Sequence, residues 1–145
     1  MKRIIFNQLV MAVFFLPFTI VYGQKISIKK QILLIDNKEV FKAESTGQFG
    51  ANGYIFYDLH NETPVLKIIA NNGGTHMYLG DDFLETTLLA TGQRFDIKGR
   101  VYKDVLLLLL KNKVLTPDGT IDDSKVELFL KNYDEKIRDR TLMVR

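Results

Sequence analysis

From Ile26 to about Ala90, apolar residues recur at every second position, and the runs are broken by Gly, Asn, Asp and Pro. A period of two sorts side chains onto opposite faces of a pleated strand. Ile26, Ile28, Ile32 and Leu34 share one face of a first strand, and Asp36-Asn37 suits the positive φ angles of a tight hairpin leading to Val40, Phe41 and Ala43. Gly47, Gly50 and Gly53 mark a loop. Tyr54 to His60 alternates again, Asn61 to Pro64 turns, and Val65 to Ala70 forms a fourth strand. Asn71-Asn72-Gly73-Gly74 ends it, and Thr75 to Leu79 and Phe83 to Ala90 supply two more, divided at Gly80-Asp81-Asp82. Strands joined by such short turns are antiparallel neighbours, so the expected arrangement is a meander.

After Gly92 the period changes. Tyr102, Val105, Leu106, Leu109 and Leu110 fall at helical spacing, and Leu107 and Leu108 make this helix apolar nearly all round. A buried strand is the rival, but leucine favours a helix and β-branched residues are scarce. Thr116-Pro117-Asp118-Gly119 fits a type I turn. Asp122 and Asp123 can cap a second helix, with Ser124 and Glu127 at capping-box spacing as the alternative. Its apolar stripe is Val126, Phe129, Leu130, Tyr133 and Ile137, and Arg138 falls on the wet side. The expectation is an α+β domain, an antiparallel β-meander of five or six strands packed by a C-terminal helix hairpin.

The first 23 residues read differently. Lys2 and Arg3 precede an apolar run from Leu9 to Leu16, Pro17 interrupts it, and Phe18 to Tyr22 completes it before Gly23 and Gln24. A cationic start, an apolar middle and a small residue at the cut are the parts of an export signal, which predicts cleavage after Gly23 and a single domain over 24–145. An uncleaved anchor is the alternative, since Ile4 to Tyr22 is 19 residues long, although Asn7, Gln8 and Pro17 interrupt it. With no cysteine there is neither a lipidation site at the new N-terminus nor a disulfide. A chain of 122 residues is long enough to stand on a hydrophobic core.

Charge follows the leader. The whole chain carries +3, but without Lys2 and Arg3 the basic residues number 18 against 17 acids, which leaves +1. Lys29-Lys30, Arg94 with Lys98 and Arg100, and Arg138 with Arg140 are separated by acids, so no nucleic-acid partner is expected. The 46% hydrophobic content excludes a collagenous or disordered chain.

No motif concentrates chemistry. Aligning Gly119 with the glycine of a calcium loop puts Val114 and Lys125 at ligand positions that require oxygen. Asp58, His60 and Glu62 share a strand face by spacing, and His76 can approach His60 across the sheet, but a zinc site needs a fuller set of ligands and Pro64 ends the strand early. The three serines, Ser27, Ser45 and Ser124, form no nucleophile elbow. The Gly-rich breaks lack the Lys-Ser/Thr of a phosphate loop, and Asn61-Glu62-Thr63 is a glycosylation pattern spoiled by Pro64. No catalytic residue, metal or cofactor is assigned. If the side carrying Tyr54 and Phe56 is open, it is a candidate ligand or partner surface; otherwise these rings complete the core. The candidate binding residues are therefore Tyr54, Phe56, Asp58, His60 and His76.

The leucine-rich helix, the connector Val114-Leu115-Thr116-Pro117-Asp118-Gly119 and the ending Lys131-Asn132-Tyr133-Asp134 resemble a group of small, exported bacterial proteins with an antiparallel sheet followed by two helices. The resemblance implies a periplasmic or secreted setting and brings no activity. The reading is an exported, non-enzymatic interaction or ligand-binding module of the cell envelope, acting on a protein or small molecule. The alternative is a small hydrolase using His60, His76 and nearby acids. A homodimer joined along an exposed strand or helix face is a further expectation.

Overall fold

The structure, a computed structural model, describes residues 23–47, 53–72, 82–99 and 101–142. The expected leader over 1–22 and strand Thr75 to Leu79 lie outside the described residues. Seven strands, β1 (Ile26–Lys29), β2 (Ile32–Ile35), β3 (Lys38–Ser45), β4 (Gly53–Asp58), β5 (Pro64–Asn71), β6 (Phe83–Leu88) and β7 (Gln93–Lys98), form one sheet. Each pairs antiparallel with the next in sequence order, which gives a pure meander. Helices α1 (Tyr102–Lys111), α2 (Asp123–Tyr133) and α3 (Ile137–Leu142) follow. The chain is an α+β protein.

The strand count corrects the expected five or six at two places. Ile26 to Leu34 is not one strand but a hairpin, because Lys30 and Gln31 take φ values of 48° and 64°. Two successive positive φ angles make the type I′ turn that matches strand twist, and here neither residue is Asn or Gly. The turn reverses the parity: Ile26, Leu33 and Ile35 are buried, while Ile32 and Leu34 are half-buried. Asp36 and Asn37, at 52° and 66°, form the expected second turn. At the other end, Phe83 to Ala90 stops at Leu88. Gly92, at φ 71°, donates its N–H to Leu88 O at 2.8 Å, and the chain returns as β7 before any helix begins.

One face of the sheet meets the helices. Phe41, Phe56, Leu66, Ile68, Leu88 and Phe95 join Val105, Leu106 and Leu109 of α1 and Val126 and Phe129 of α2 in a single core. α1 touches β1 and β5, and α2 touches β7, so together they span the sheet. The α1–α2 connector is pinned to the same core. Val114 and Leu115 are buried, and the Thr116–Gly119 turn closes with Gly119 N–H on Thr116 O at 3.0 Å. A Cβ on Gly119 would fall 2.8 Å from Val40 Cγ1, so glycine is needed for close approach as well as for its φ of 93°. Asp122 caps α2, accepting the Ser124 N–H at 3.0 Å.

The second helix ends earlier than its apolar stripe suggests. Asp134 is its C-cap, and Ile137 belongs to α3. Among the described residues no helix is long and apolar enough to cross a membrane.

Candidate functional site

The sheet's register brings some of the singled-out residues together and separates others. Tyr54 and Phe56 point toward the helices, where Tyr102 at the start of α1 meets them. The Tyr54 and Tyr102 rings pack edge to face with centroids 4.9 Å apart, and Phe56 lies 6.4 Å from Tyr102 and 6.2 Å from Phe41. Phe56 is 0% exposed and offers no surface to a ligand. Tyr54 and Tyr102 are half-buried, with exposed Val101 next in the chain. Burial, and to a lesser degree the neighbouring Tyr54, pushes the Tyr102 phenol above its ordinary range.

Asp58 builds the β4–β5 turn. Its Oδ1 accepts the N–H groups of His60 at 2.8 Å and Asn61 at 3.1 Å, and these donors hold the carboxyl below the usual carboxylate range. Asn61 repeats the device, accepting Thr63 N–H at 2.9 Å. His60 is exposed at the turn. Glu62 leaves the pair, its Oε1 lying 3.5 Å from Lys42 Nζ, which is also 3.3 Å from Glu44. Asp58, His60 and Glu62 thus do not converge, and no group of three or more His, Asp or Glu placed to hold a metal ion occurs among the described residues. His76 lies outside the described residues.

A second cluster escapes the sequence reading. Asp96 of β7 is 1% exposed on the sheet face away from Phe95. The Arg138 Nε lies 2.8 Å from its Oδ1, an ion pair rather than an aligned hydrogen bond, and the Arg138 backbone N–H donates to Oδ2 at 2.9 Å. Arg138 Nη1 donates to Glu85 Oε1 at 3.1 Å. Burial alone lowers the guanidinium pKa, but Asp96, and beyond it Glu85 and Asp134, outweigh that and hold it above its ordinary value. The signal was present in the alternation Arg94, Asp96, Lys98 against Phe95 and Ile97, legible only once a strand is drawn there.

The same segment closes the sheet. Asp134 Oδ1 accepts the Asp96 N–H and Glu135 Oε1 the Lys98 N–H, both at 3.0 Å, while Glu135 N–H donates to Asp96 O at 2.9 Å. Two carboxylates thereby occupy the edge where another strand would pair.

The site and fold together define a class no finer than a seven-stranded α+β meander with a half-open aromatic pair and a buried ion pair. No protein-family model, curated protein or solved structure matches the chain.

Proposed function

We propose that the protein is an exported, non-enzymatic interaction or ligand-binding module of the bacterial envelope, with its contact surface at the end of the sheet that carries Tyr54 and Tyr102. The export half of this reading is supported by the Lys2-Arg3 start, the apolar run and Gly23 before Gln24. The observation that carries the binding half is the edge-to-face pair at 4.9 Å. Half-exposed tyrosines present an apolar ring with a polar tip, the chemistry that recurs at recognition surfaces. α1 fixes one ring and β4 the other, so the surface is pre-formed and orders little on binding.

Two measurements test it. After expression of the full chain, N-terminal sequencing of the protein outside the cytoplasm is expected to begin at Gln24; an unprocessed chain in the cytosol would refute export. Thermal shift against peptidoglycan fragments and envelope oligosaccharides is expected to raise the melting temperature of the wild type and not of Tyr54→Ser. A shift abolished by His60→Ala instead would transfer the site to the β4–β5 turn and revive a hydrolase.

A further inference from the structure

The two edges of the sheet are unlike. At β7 the outward N–H groups of Asp96 and Lys98 donate to Asp134 and Glu135. At the other edge β1 pairs with β2 alone, and no described strand lies beyond it. Lys25, just before β1, turns both of its backbone groups toward the β2 side. Its N–H donates to Asp36 Oδ1 at 2.8 Å, and its carbonyl accepts the Asp36 N–H at 2.9 Å. Backbone groups alternate in direction along an antiparallel strand, so Ser27 and Lys29 also face β2, whereas Ile26 and Ile28 direct N–H and C=O away from it. Those outward groups have no hydrogen-bond partner among the described residues. The side chains divide as well. Ile26 and Ile28 pack on the core, and Lys25, Ser27 and Lys29 stand on the opposite face, with Lys30 following in the turn. Lys25, Lys29 and Lys30 are exposed, β1 contains no acid, and none of the three ammonium groups has an ion-pair partner among the described residues.

We propose that the β1 edge takes up an extended acidic segment of a partner protein as an additional antiparallel strand. The main chain of such a strand completes the bonds that Ile26 and Ile28 leave open, and its alternate side chains give selectivity. Residues opposite Ile26 and Ile28 fall on the helix side, where apolar side chains extend the core. Residues opposite Lys25 and Lys29 fall on the other face, where aspartate or glutamate is within cross-strand reach of an ammonium. The matching sequence is therefore an acid, an apolar residue, any residue, an apolar residue and an acid. A second copy of β1 is the poorer occupant. Joined through Ile26 and Ile28, two copies would centre on Ser27 and set Lys25 of each opposite Lys29 of the other, and like charges directly opposite destabilise a strand pair. Lysines on an edge strand discourage self-pairing; here they leave the main-chain groups open to a strand of opposite charge. The edge lies three strands from Tyr54 on β4, so this proposal does not depend on the binding reading above.

Fluorescence anisotropy and amide hydrogen exchange on the protein purified from full-length expression test this, with a short capped peptide alternating glutamate and valine as the probe. One control peptide carries lysine for glutamate. Another keeps the glutamates but is methylated on the valine nitrogens, which removes the N–H groups that would meet Ile26 and Ile28. The glutamate peptide is expected to bind saturably and to slow exchange at the Ile26 and Ile28 amides, while the Ser27 amide, already turned to β2, is unchanged. Both controls are expected to bind the wild type at least about tenfold more weakly, since each loses the charge match or the main-chain bonds. In Lys25→Glu/Lys29→Glu, shown by thermal melts to fold, the preference is expected to reverse toward the lysine peptide. The two control peptides test the wild type whether or not that variant folds. No saturable binding of the glutamate peptide would mean that the lysines only guard the edge, and equal binding of the methylated peptide would mean charge attraction without a strand. Exchange at Ile26 and Ile28 that slows with protein concentration alone would make a second copy the occupant. Each of these results would overturn the proposal.

Discussion

Arg138 grips Asp96 twice, by the guanidinium Nε at 2.8 Å and by its own backbone N–H at 2.9 Å. One carboxylate on β7 therefore fixes both the side chain and the main chain at the start of α3, 42 residues away. Because Asp134 and Glu135 immediately precede this grip, it also sets them over the N–H groups of Asp96 and Lys98. A buried ion pair contributes little net stability once desolvation is counted, and its value here is positional. It fastens α3 to the sheet edge.

Removing one partner is a different matter from never having the pair. Arg138→Ala leaves a carboxylate that is 1% exposed with no cation beside it. The expected cost is about 3 kcal/mol, the lower end for breaking a buried pair, since the Arg138 side chain keeps 27% of its surface exposed. Urea denaturation measures it. Arg138→Lys is expected to recover only part, because an ammonium cannot reach Asp96 and Glu85 with a planar fork. A loss below about 0.5 kcal/mol, typical of a surface pair, would mean Asp96 is hydrated in solution.

Thr86 presents the opposite case. It is 0% exposed, and its Oγ1 finds no hydrogen-bond partner among the described residues. It sits between Ile68 and Phe95 on the helix-facing side of the sheet. A buried hydroxyl without a partner costs roughly 1–3 kcal/mol, so the near-isosteric Thr86→Val is expected to raise stability by about 1 kcal/mol. A lower melting temperature would show that the hydroxyl is bonded in solution, through water.

The core itself makes a plainer demand. Leu109 is 0% and Phe129 2% exposed, one on each helix that covers the sheet. Leu109→Ala and Phe129→Ala are each expected to cost about 2–5 kcal/mol in chemical denaturation, the range for emptied interior positions. Near-neutral effects at both would mean the helices do not cover the sheet.

What was legible in the sequence follows from how local each signal is. The Asp36-Asn37 turn, the Asp122 cap and the Leu109 face announce themselves within a few residues, because turn chemistry and periodicity are local. The Lys30-Gln31 turn does not, since two long polar side chains in left-handed geometry carry no Gly or Asn signature. β7 was hidden because Arg94, Asp96 and Lys98 look like solvated charge until α3 supplies partners from far along the chain. For the candidate site, the local part was readable: Tyr54 and Phe56 share a face. That Tyr102 would close over them depends on where α1 crosses the sheet, a long-range packing outcome.

Acid tests the turn and cap carboxylates. Asp58 is held below its ordinary pKa by backbone N–H donors, and Asp122 by the Ser124 hydroxyl and N–H. A folded-state pKa below the unfolded one contributes stability that is complete above the unfolded value, about 3.9, and disappears as pH falls through the folded value. Stability is therefore expected to decline on acidification below about pH 4, and the decline is expected to be shallower in Asp58→Asn and Asp122→Asn, whose amides do not titrate. Parallel acid titrations of melting temperature, followed by circular dichroism, check the sign. A steeper acid limb in either variant would contradict it.

The carboxylates over β7 are expected to matter more for association than for folding. An open edge strand offers unpaired N–H groups to any other strand, and proteins block such edges with charge or with covering segments. Here Asp134 and Glu135 do both, each accepting one outward N–H at 3.0 Å. In Asp134→Ala/Glu135→Ala the amides of Asp96 and Lys98 are expected to exchange with solvent deuterium faster than in the wild type, while amides of β4 and β5, in the middle of the sheet, keep their protection. Turbidity on warming should then rise with protein concentration more steeply than in the wild type, because the freed edge can template a second strand. If protection at Asp96 and Lys98 is unchanged, the Arg138 grip alone keeps the segment in place and the two carboxylates are incidental to the edge.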